Sequence, residues 1–180
     1  MSEVSVRVVL GLGSNRTLTL ENGEVLEPVQ VLEKACAALE QVLSDLTVSS
    51  VYRTKAMYVT DQDDFYNMAA AGWYTGSAES LLDATQAIEA RYGRDRTKEF
   101  RNGPRSLDID IEVFGEETHT TDRLQIPHPR LHERRFILEP MLEILSEPSD
   151  TRIRDQFALF LEQLPDQGVR FYGKCHYRSI

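Results

Sequence analysis

The sequence predicts an α+β fold, a ferredoxin-like βαββαβ sandwich with extra helices toward its C-terminus. Two observations support this prediction, namely the spacing of the apolar residues and the order in which the patterns occur. Apolar residues at every second position indicate strands, and apolar residues at every third or fourth position indicate helices. The patterns follow one another as strand, helix, strand, strand, helix and strand, and two further helical patterns come after them.

Each element is expected from a local pattern of this kind. Residues 4–13 alternate and end in a glycine turn, which predicts the first strand, and the polar residues 17–27 predict a loop with a small hairpin. Ser77 is placed to cap a helix, and Gly93 is placed to end it. The other expected elements are a helix over Val29–Leu46, strands over Thr47–Thr54, Phe65–Thr75, Leu107–Phe114 and Leu124–Ile126, and helices over Ser77–Tyr92, Phe136–Leu145 and Arg152–Leu164.

Length and composition restrict the class of protein. A chain of 180 residues suits a single domain over residues 1–180, with 151–180 as a C-terminal extension. The net charge of −9 argues against nucleic-acid binding, which needs surplus Lys and Arg. No apolar run approaches the roughly 20 residues that span a bilayer, and Glu3 stands where a secretory signal would be basic. We expect a cytoplasmic monomer with no membrane partner, and we expect Cys36 and Cys175 to be reduced and structural.

The segment from Arg91 to Arg105 is basic although the chain as a whole is acidic. It contains six Lys or Arg residues and two acidic residues, so its net charge is +4 while the rest of the chain carries −13. Cations concentrated in one loop suggest a small, highly charged anion as the ligand. The alternative is a basic loop that is simply solvated.

Three acidic residues alternate with apolar residues directly after this basic segment. Asp108, Asp110 and Glu112 share one face of the expected strand, and neighbouring carboxylates on that face lie roughly 6–7 Å apart. Such a pair can hold hard cations such as Mg²⁺, and the adjacent guanidinium groups would then complete a polyphosphate site. The alternative is a solvated acidic face.

A histidine with restricted freedom follows the strand. His128 stands between Pro127 and Pro129 in a segment expected to be stiff and extended. This placement favours a positioned hydrogen-bond donor, although an exposed loop histidine is the alternative.

These motifs together resemble the signature of the 6-hydroxymethyl-7,8-dihydropterin pyrophosphokinase family. The matching segments run in the family's order from about residue 8 to residue 148. They are Gly11–Asn15, Ser49–Thr54, Asp61–Asn67, Gln86–Glu89, Gly103–Asp110 and Ile126–Pro129, with Arg134 and Phe136.

The resemblance implies transfer of pyrophosphate from ATP to the hydroxymethyl group of the pterin, in folate biosynthesis. It implies two Mg²⁺ ions, bound with ATP at Asp108 and Asp110, and catalytic roles for these residues and for Arg94, Arg105 and His128. The implied ATP-binding residues are Gln86, Glu89, Arg94, Arg96, Arg105, Ile109, Arg123, His128 and Arg134. The implied pterin-binding residues are Thr54, Lys55, Met57, Phe65, Asn67, Asn102 and Phe136.

The chain departs from the family pattern at several positions. Lys55 stands where many members have proline, and Asn102 stands where many have tryptophan. The stretch from Arg94 to Gly103 is about one residue longer than usual, the loop after Asn15 is also longer, and residues 151–180 lie beyond the resemblance. No residue stands out as a general base. A non-catalytic nucleotide-binding or pterin-binding module and a metal-dependent phosphohydrolase are the alternative functions.

Overall fold

The computed structural model describes residues 4–56, 61–95, 97 and 103–178. Its helices are α1 (Pro28–Leu39), α2 (Ala78–Arg91), α3 (Arg135–Ile144) and α4 (Thr151–Gln163). Its strands are β1 (Ser5–Ser14), β2 (Leu18–Thr19), β3 (Val25–Leu26), β4 (Ser44–Val48), β5 (Val51–Thr54), β6 (Phe65–Thr75), β7 (Asp108–Phe114), β8 (His119–Thr120), β9 (Gln125–Ile126) and β10 (Arg170–Gly173).

The main sheet of the described chain is antiparallel and confirms the predicted fold class. Its order is β10-β5-β6-β1-β7, and β4 pairs with the other end of β6. The central strand β1 therefore lies between β6 and β7, which is the arrangement expected when each helix crosses over one intervening strand. The hairpin expected in residues 17–27 is present as β2 and β3.

Two hydrophobic cores lie on opposite faces of this sheet. On one face, Val8, Leu10 and Leu12 of β1 pack against α1 and α2. On the other face, Val9 and the small residues Ala69 and Ala71 pack against α3 and α4. Because side chains alternate along a strand, Gly11 and Gly13 of β1 belong to the α3 face, where they leave bare backbone.

The predicted helix over Val29–Leu46 was wrong in its second half. Helix α1 ends at Leu39, and residues 44–48 form β4, which pairs with β6. Asp45 has a φ of 51°, which a right-handed helix cannot contain. Leu43 lies in a turn after α1 but still packs into the core beneath α1 and α2. Its apolar side chain therefore fits a helical period although no helix is present at this position.

The single strand predicted over Thr47–Thr54 is divided at Ser49 and Ser50. The Ser49 hydroxyl accepts a hydrogen bond from the Ala69 backbone N–H at 2.8 Å and replaces a strand-to-strand bond. The Ser50 backbone N–H and hydroxyl donate to the Glu143 carboxylate at 3.0 and 2.7 Å. These contacts turn the chain toward α3 between β4 and β5.

Residues beyond 146 contribute to the fold. Asp150 accepts two hydrogen bonds, at 3.1 and 3.0 Å, from the Arg7 guanidinium of β1, and both side chains are buried. Strand β10, which the sequence analysis missed, pairs with β5. No helix in the described part of the chain is long and apolar enough to cross a membrane.

Candidate active site

A cleft opens on the α3 face at one end of the sheet. Its floor is the backbone of β1 at Gly11 and Gly13, and β7 lies on one side of it with β6 on the other. Gly13 pairs with both Asp108 and Asn67, so the predicted metal and pterin residues flank a glycine. The absence of side chains on β1 lets a ligand approach the sheet closely between them.

Asp108 lies where the basic segment meets β7. Its Oδ2 accepts a hydrogen bond from Nη1 of Arg105 at 2.8 Å, and its Oδ1 contacts Nη1 of Arg94. The Asp108 side chain is 24% exposed, so this group of charges opens onto the cleft. The structure thus brings together the cations and carboxylates that the sequence placed in consecutive segments.

Asp110 lies two residues after Asp108 on β7, where it pairs with Gly11 of β1. It retains some exposure through the cleft but is surrounded by protein, and this burial raises its pKa to about 7. Asp108 and Glu89 raise the pKa further, whereas Arg134 and Arg94 oppose them. A cation would relieve this crowding of negative charge, which is how the site fits a divalent metal.

A metal at this position would need ligands besides protein. No group of three His, Cys, Asp or Glu side chains in the described residues converges on one point. Mg²⁺ requires six oxygen ligands and is commonly held by one or two carboxylates plus substrate phosphates and water. The Asp108 and Asp110 pair matches that pattern.

Glu89 and Ile109, both predicted to bind ATP, have other partners in this structure. Glu89 is only 1% exposed; its Oε1 accepts the Ile109 backbone N–H at 2.7 Å and lies 3.3 Å from Nη1 of Arg94. The Ile109 side chain is buried in the core beneath α2. Glu89 therefore fixes Arg94 relative to β7, and Arg94 is fixed further by a hydrogen bond of 3.1 Å to the Leu107 carbonyl.

Arg134 lines the cleft, whereas His128, which contacts Arg134, is not among the lining residues and belongs to a neighbouring depression. His128 Nδ1 accepts the Arg130 backbone N–H at 3.1 Å, so the neutral ring carries its hydrogen on Nε2, which lies 3.4 Å from Nη1 of Arg134. Burial, reinforced by Arg134, lowers the pKa of His128 to about 4. Two donors therefore face each other, and an anionic oxygen between them would satisfy both.

The predicted pterin residues form the other half of the cleft. Phe65 comes from β6 and Phe136 from the first turn of α3, and both rings line the cleft while remaining partly exposed. Asn67 is buried and donates a hydrogen bond of 3.2 Å to the Thr54 hydroxyl. Lys55 is exposed at the rim.

Arginines connect the two halves of the cleft. The Arg105 guanidinium lies 6.0 Å from the centroid of the Phe65 ring, and that of Arg134 lies 5.8 Å from the centroid of Phe136. Each aromatic ring therefore has an arginine guanidinium group beside it, at a distance typical of cation–π contacts.

Some predicted residues are not brought to the cleft. Arg123 is exposed and pairs with Asp83 of α2, and Gln86 is half-buried on the same helix. Neither residue lines the cleft. Met57, Arg96 and Asn102 lie outside the described residues.

Asn15 is a site residue whose role the sequence analysis did not assign. It is 2% exposed, and its amide donates to Gln62 Oε1 at 3.0 Å and to the Asp63 carbonyl at 3.1 Å. Its Oδ1 accepts the Arg105 backbone N–H at 2.9 Å. Asn15 therefore ties the loop before β6 to the loop before β7. The available signal was its position as the last residue of the glycine-rich segment that ends β1.

Carboxylates, guanidinium groups and a pair of aromatic rings in one cleft are typical of a class of enzyme that transfers phosphoryl groups from a polyphosphate to a flat ring substrate. The comparisons with known proteins specify the family. The family model of 7,8-dihydro-6-hydroxymethylpterin-pyrophosphokinase matches residues 9–146, and the chain belongs to this family.

Curated relatives agree with that assignment. The chain is 36% identical over 167 residues to the 2-amino-4-hydroxy-6-hydroxymethyldihydropteridine pyrophosphokinase of Pseudomonas aeruginosa, which covers 91% of this chain and 94% of that protein. It is 41% identical over 118 residues to the Bacillus subtilis protein of the same name, covering 64% and 70%. This membership favours an ATP-dependent diphosphotransferase over the binding module and the phosphohydrolase.

A solved structure shares the fold. Plasmodium falciparum HPPK-DHPS, crystallised as a triple mutant, matches with a TM-score of 0.59 and 15% identity. The match covers 90% of this chain but only 46% of that longer chain, and at this identity it shows the fold alone.

Proposed function

We propose that this cleft transfers the pyrophosphoryl group of ATP to 6-hydroxymethyl-7,8-dihydropterin in folate biosynthesis. The observation that carries the proposal is the placement of Asp108, with its two arginines, across bare β1 backbone from Asn67. The hydroxymethyl oxygen forms a bond to the β-phosphorus, the bond from that phosphorus to the α-phosphate oxygen breaks, and AMP leaves. The hydroxyl proton passes to solvent, since no general base is assigned.

The phosphate side holds and neutralises the triphosphate. Asp108 and Asp110 would hold Mg²⁺, two ions in the proposal, which would neutralise the charge on the β- and γ-phosphates. Arg94 and Arg105 exchange part of their contact with Asp108 for phosphate oxygens, and His128 and Arg134 donate to phosphate from the other side. Positioning of this kind, in a site with little water, accounts for most of the catalysis of phosphoryl transfer.

The pterin side orients the acceptor. Phe65 and Phe136 stack on the flat ring, and Asn67 and Thr54 bind its polar edge. Lys55, Met57 and Asn102 are proposed to contact the pterin as well. Gln86, Arg96 and Arg123 are proposed to contact the nucleotide outside the described cleft. For Glu89 and Ile109 we propose a positioning role, because their contacts fix Arg94 and β7.

The test is a product assay with Mg-ATP and 6-hydroxymethyl-7,8-dihydropterin. The expected result is AMP that appears only when the pterin is present, together with an equal amount of pterin diphosphate. ADP as the pterin-dependent product would contradict pyrophosphoryl transfer, and phosphate released without pterin would indicate the hydrolase. Omitting the divalent metal, with EDTA present, should abolish AMP formation.

A further inference from the structure

Glu112 is a third acidic residue near the cleft, and the proposed function gives it no role. Its side chain is fully buried at 0% exposure. Neither carboxylate oxygen has a hydrogen-bond partner among the described residues. The His128 backbone N–H faces the carboxylate without reaching hydrogen-bond geometry. Buried carboxylates are almost always paired or hydrogen-bonded, so this one requires an explanation.

A β-bulge places Glu112 on the face of the sheet that carries the cleft, next to the cleft's lining residues. Val9 of β1 pairs with Val113, but Leu10 pairs with Ile111, so Glu112 is an extra residue in β7. Ile111 belongs to the core under α1 and α2, whereas Val113 belongs to the α3 face. Glu112, which follows Ile111, therefore lies on the face that carries Asp108 and Asp110.

Gly11 shows where the carboxylate of Glu112 lies. A Cβ atom placed on Gly11 would lie 3.3 Å from Oε1 of Glu112. Gly11 lines the cleft and pairs with Asp110 across the strands. The Glu112 carboxylate therefore lies over the β1 backbone at Gly11, beside Asp110. A side chain at position 11 would crowd this carboxylate.

A purely structural role does not account for this arrangement. An apolar side chain of the same size would fill the position without burying an unpaired carboxylate beside two others. A cation with its water molecules, placed at Asp110, would supply the missing donors. Because the three carboxylates do not converge on one point, Glu112 is suited to the water around the ion and not to the ion itself.

We propose that Glu112 is a positioning residue for the divalent ion at Asp110, where it accepts hydrogen bonds from water molecules coordinated to that ion. This inference rests on the proposed metal role of Asp108 and Asp110. Through this contact Glu112 strengthens metal binding, and Gly11 leaves the room that the contact requires.

The experiment measures Mn²⁺ binding, detected by the EPR signal of free Mn²⁺, with α,β-methylene-ATP bound to the full chain. Glu112→Met should weaken Mn²⁺ binding by about tenfold, as removal of such outer partners commonly does. Glu112→Gln keeps one oxygen acceptor and should weaken it less. Glu116→Gln removes the same charge from an exposed position and should leave the affinity unchanged.

The outcomes separate this inference from the proposed function. If Asp110→Asn loses Mn²⁺ binding while folded Glu112→Met and Glu112→Gln both bind Mn²⁺ like the unmodified chain, the inference is wrong and the metal site stands. If Asp110→Asn binds Mn²⁺ normally, the metal assignment itself fails and the inference fails with it. If Glu112→Met does not fold, the affinity of folded Glu112→Gln decides: weaker binding supports the inference, and unchanged binding overturns it.

Discussion

The two halves of the cleft are prepared for their proposed ligands, phosphate and pterin, in different ways. On the phosphate side, Asp108 contacts two arginines, and Glu89 holds one of them. On the pterin side, Phe65 and Phe136 present partly exposed rings beside the Asn67–Thr54 hydrogen bond. A charged ligand must therefore replace ion pairs that already exist, whereas a flat ring enters a surface that is largely formed. The phosphate side should consequently control the rate of transfer, and the pterin side should control acceptor affinity.

The largest effect should come from breaking the phosphate side at its centre. Asp108→Asn removes the carboxylate that joins both arginines and is proposed to bind metal, so kcat should fall by about 100- to 1,000-fold. Pterin binding, measured by fluorescence titration, should be nearly unchanged. Asp166→Asn is a matched control because Asp166 is exposed and pairs with Arg170 near the C-terminus. Full turnover by Asp108→Asn would refute the division between the two halves.

A smaller effect, shared by both halves, is expected at Asn15. Asn15→Ala leaves the Arg105 backbone N–H and the Asp63 carbonyl without their partner, which should lower the free energy of unfolding by about 1–3 kcal/mol. Denaturant unfolding measures this loss. The Michaelis constants for ATP and pterin should rise together, because Asn15 holds a loop on each side. A change confined to one substrate would show that the two loops are independent.

The pterin side should respond separately at Phe136. Phe136→Ala removes one ring face and should weaken pterin binding by about tenfold, or about 1.4 kcal/mol, with ATP-analogue affinity retained. Leu159→Ala on α4 is a control for the loss of an exposed apolar side chain. Titration calorimetry with each ligand would test the prediction, and an equal loss for both ligands would contradict it.

The smallest effect concerns the pH dependence of stability at His128. Its pKa is about 4 in the folded chain and about 6.5 when unfolded, so between these values the unfolded state binds more protons. The contribution of His128 to stability is complete above about pH 6.5 and is lost as the pH falls toward 4. The unmodified protein should lose more stability between pH 7.5 and pH 5 than His128→Gln does. Equal losses in chemical unfolding at the two pH values would show that the ring is not held neutral.

Sequence patterns predicted the parts of this site that lie along a single strand. Asp108 and Asp110 were identifiable because strand alternation is local, and the basic segment adjoins them in the chain. The bounds of β6 were predicted correctly, since Phe65 to Thr75 is a mostly apolar run, with Asn67 as its polar interior residue, between polar segments. Helix α1 was extended too far because the apolar residues after Leu39 fit a helical period equally well.

Features that depend on pairing between distant strands could not be predicted in this way. The burial of Glu112 depends on a bulge opposite Val9 and on a glycine in the neighbouring strand. The role of Asn15 depends on two loops that come together only in the folded chain. Arg123 was assigned through resemblance, and its pairing with Asp83 depends on how the β8–β9 hairpin lies against α2.

Strand β10 has a consequence for how the protein behaves in concentrated solution. By pairing with β5, it covers backbone groups that would otherwise form an open sheet edge leading to the cleft. Phe171 and Tyr172 of β10 also lie edge-on against Tyr52 and Tyr66 and cover part of these rings, while they are themselves 61% and 53% exposed. Open edges bind other strands and promote aggregation, whereas a short, twisted outer strand discourages it. We therefore expect this short strand, whose pairing with β5 is interrupted by a register shift, to limit the addition of further strands at the sheet edge beside the cleft.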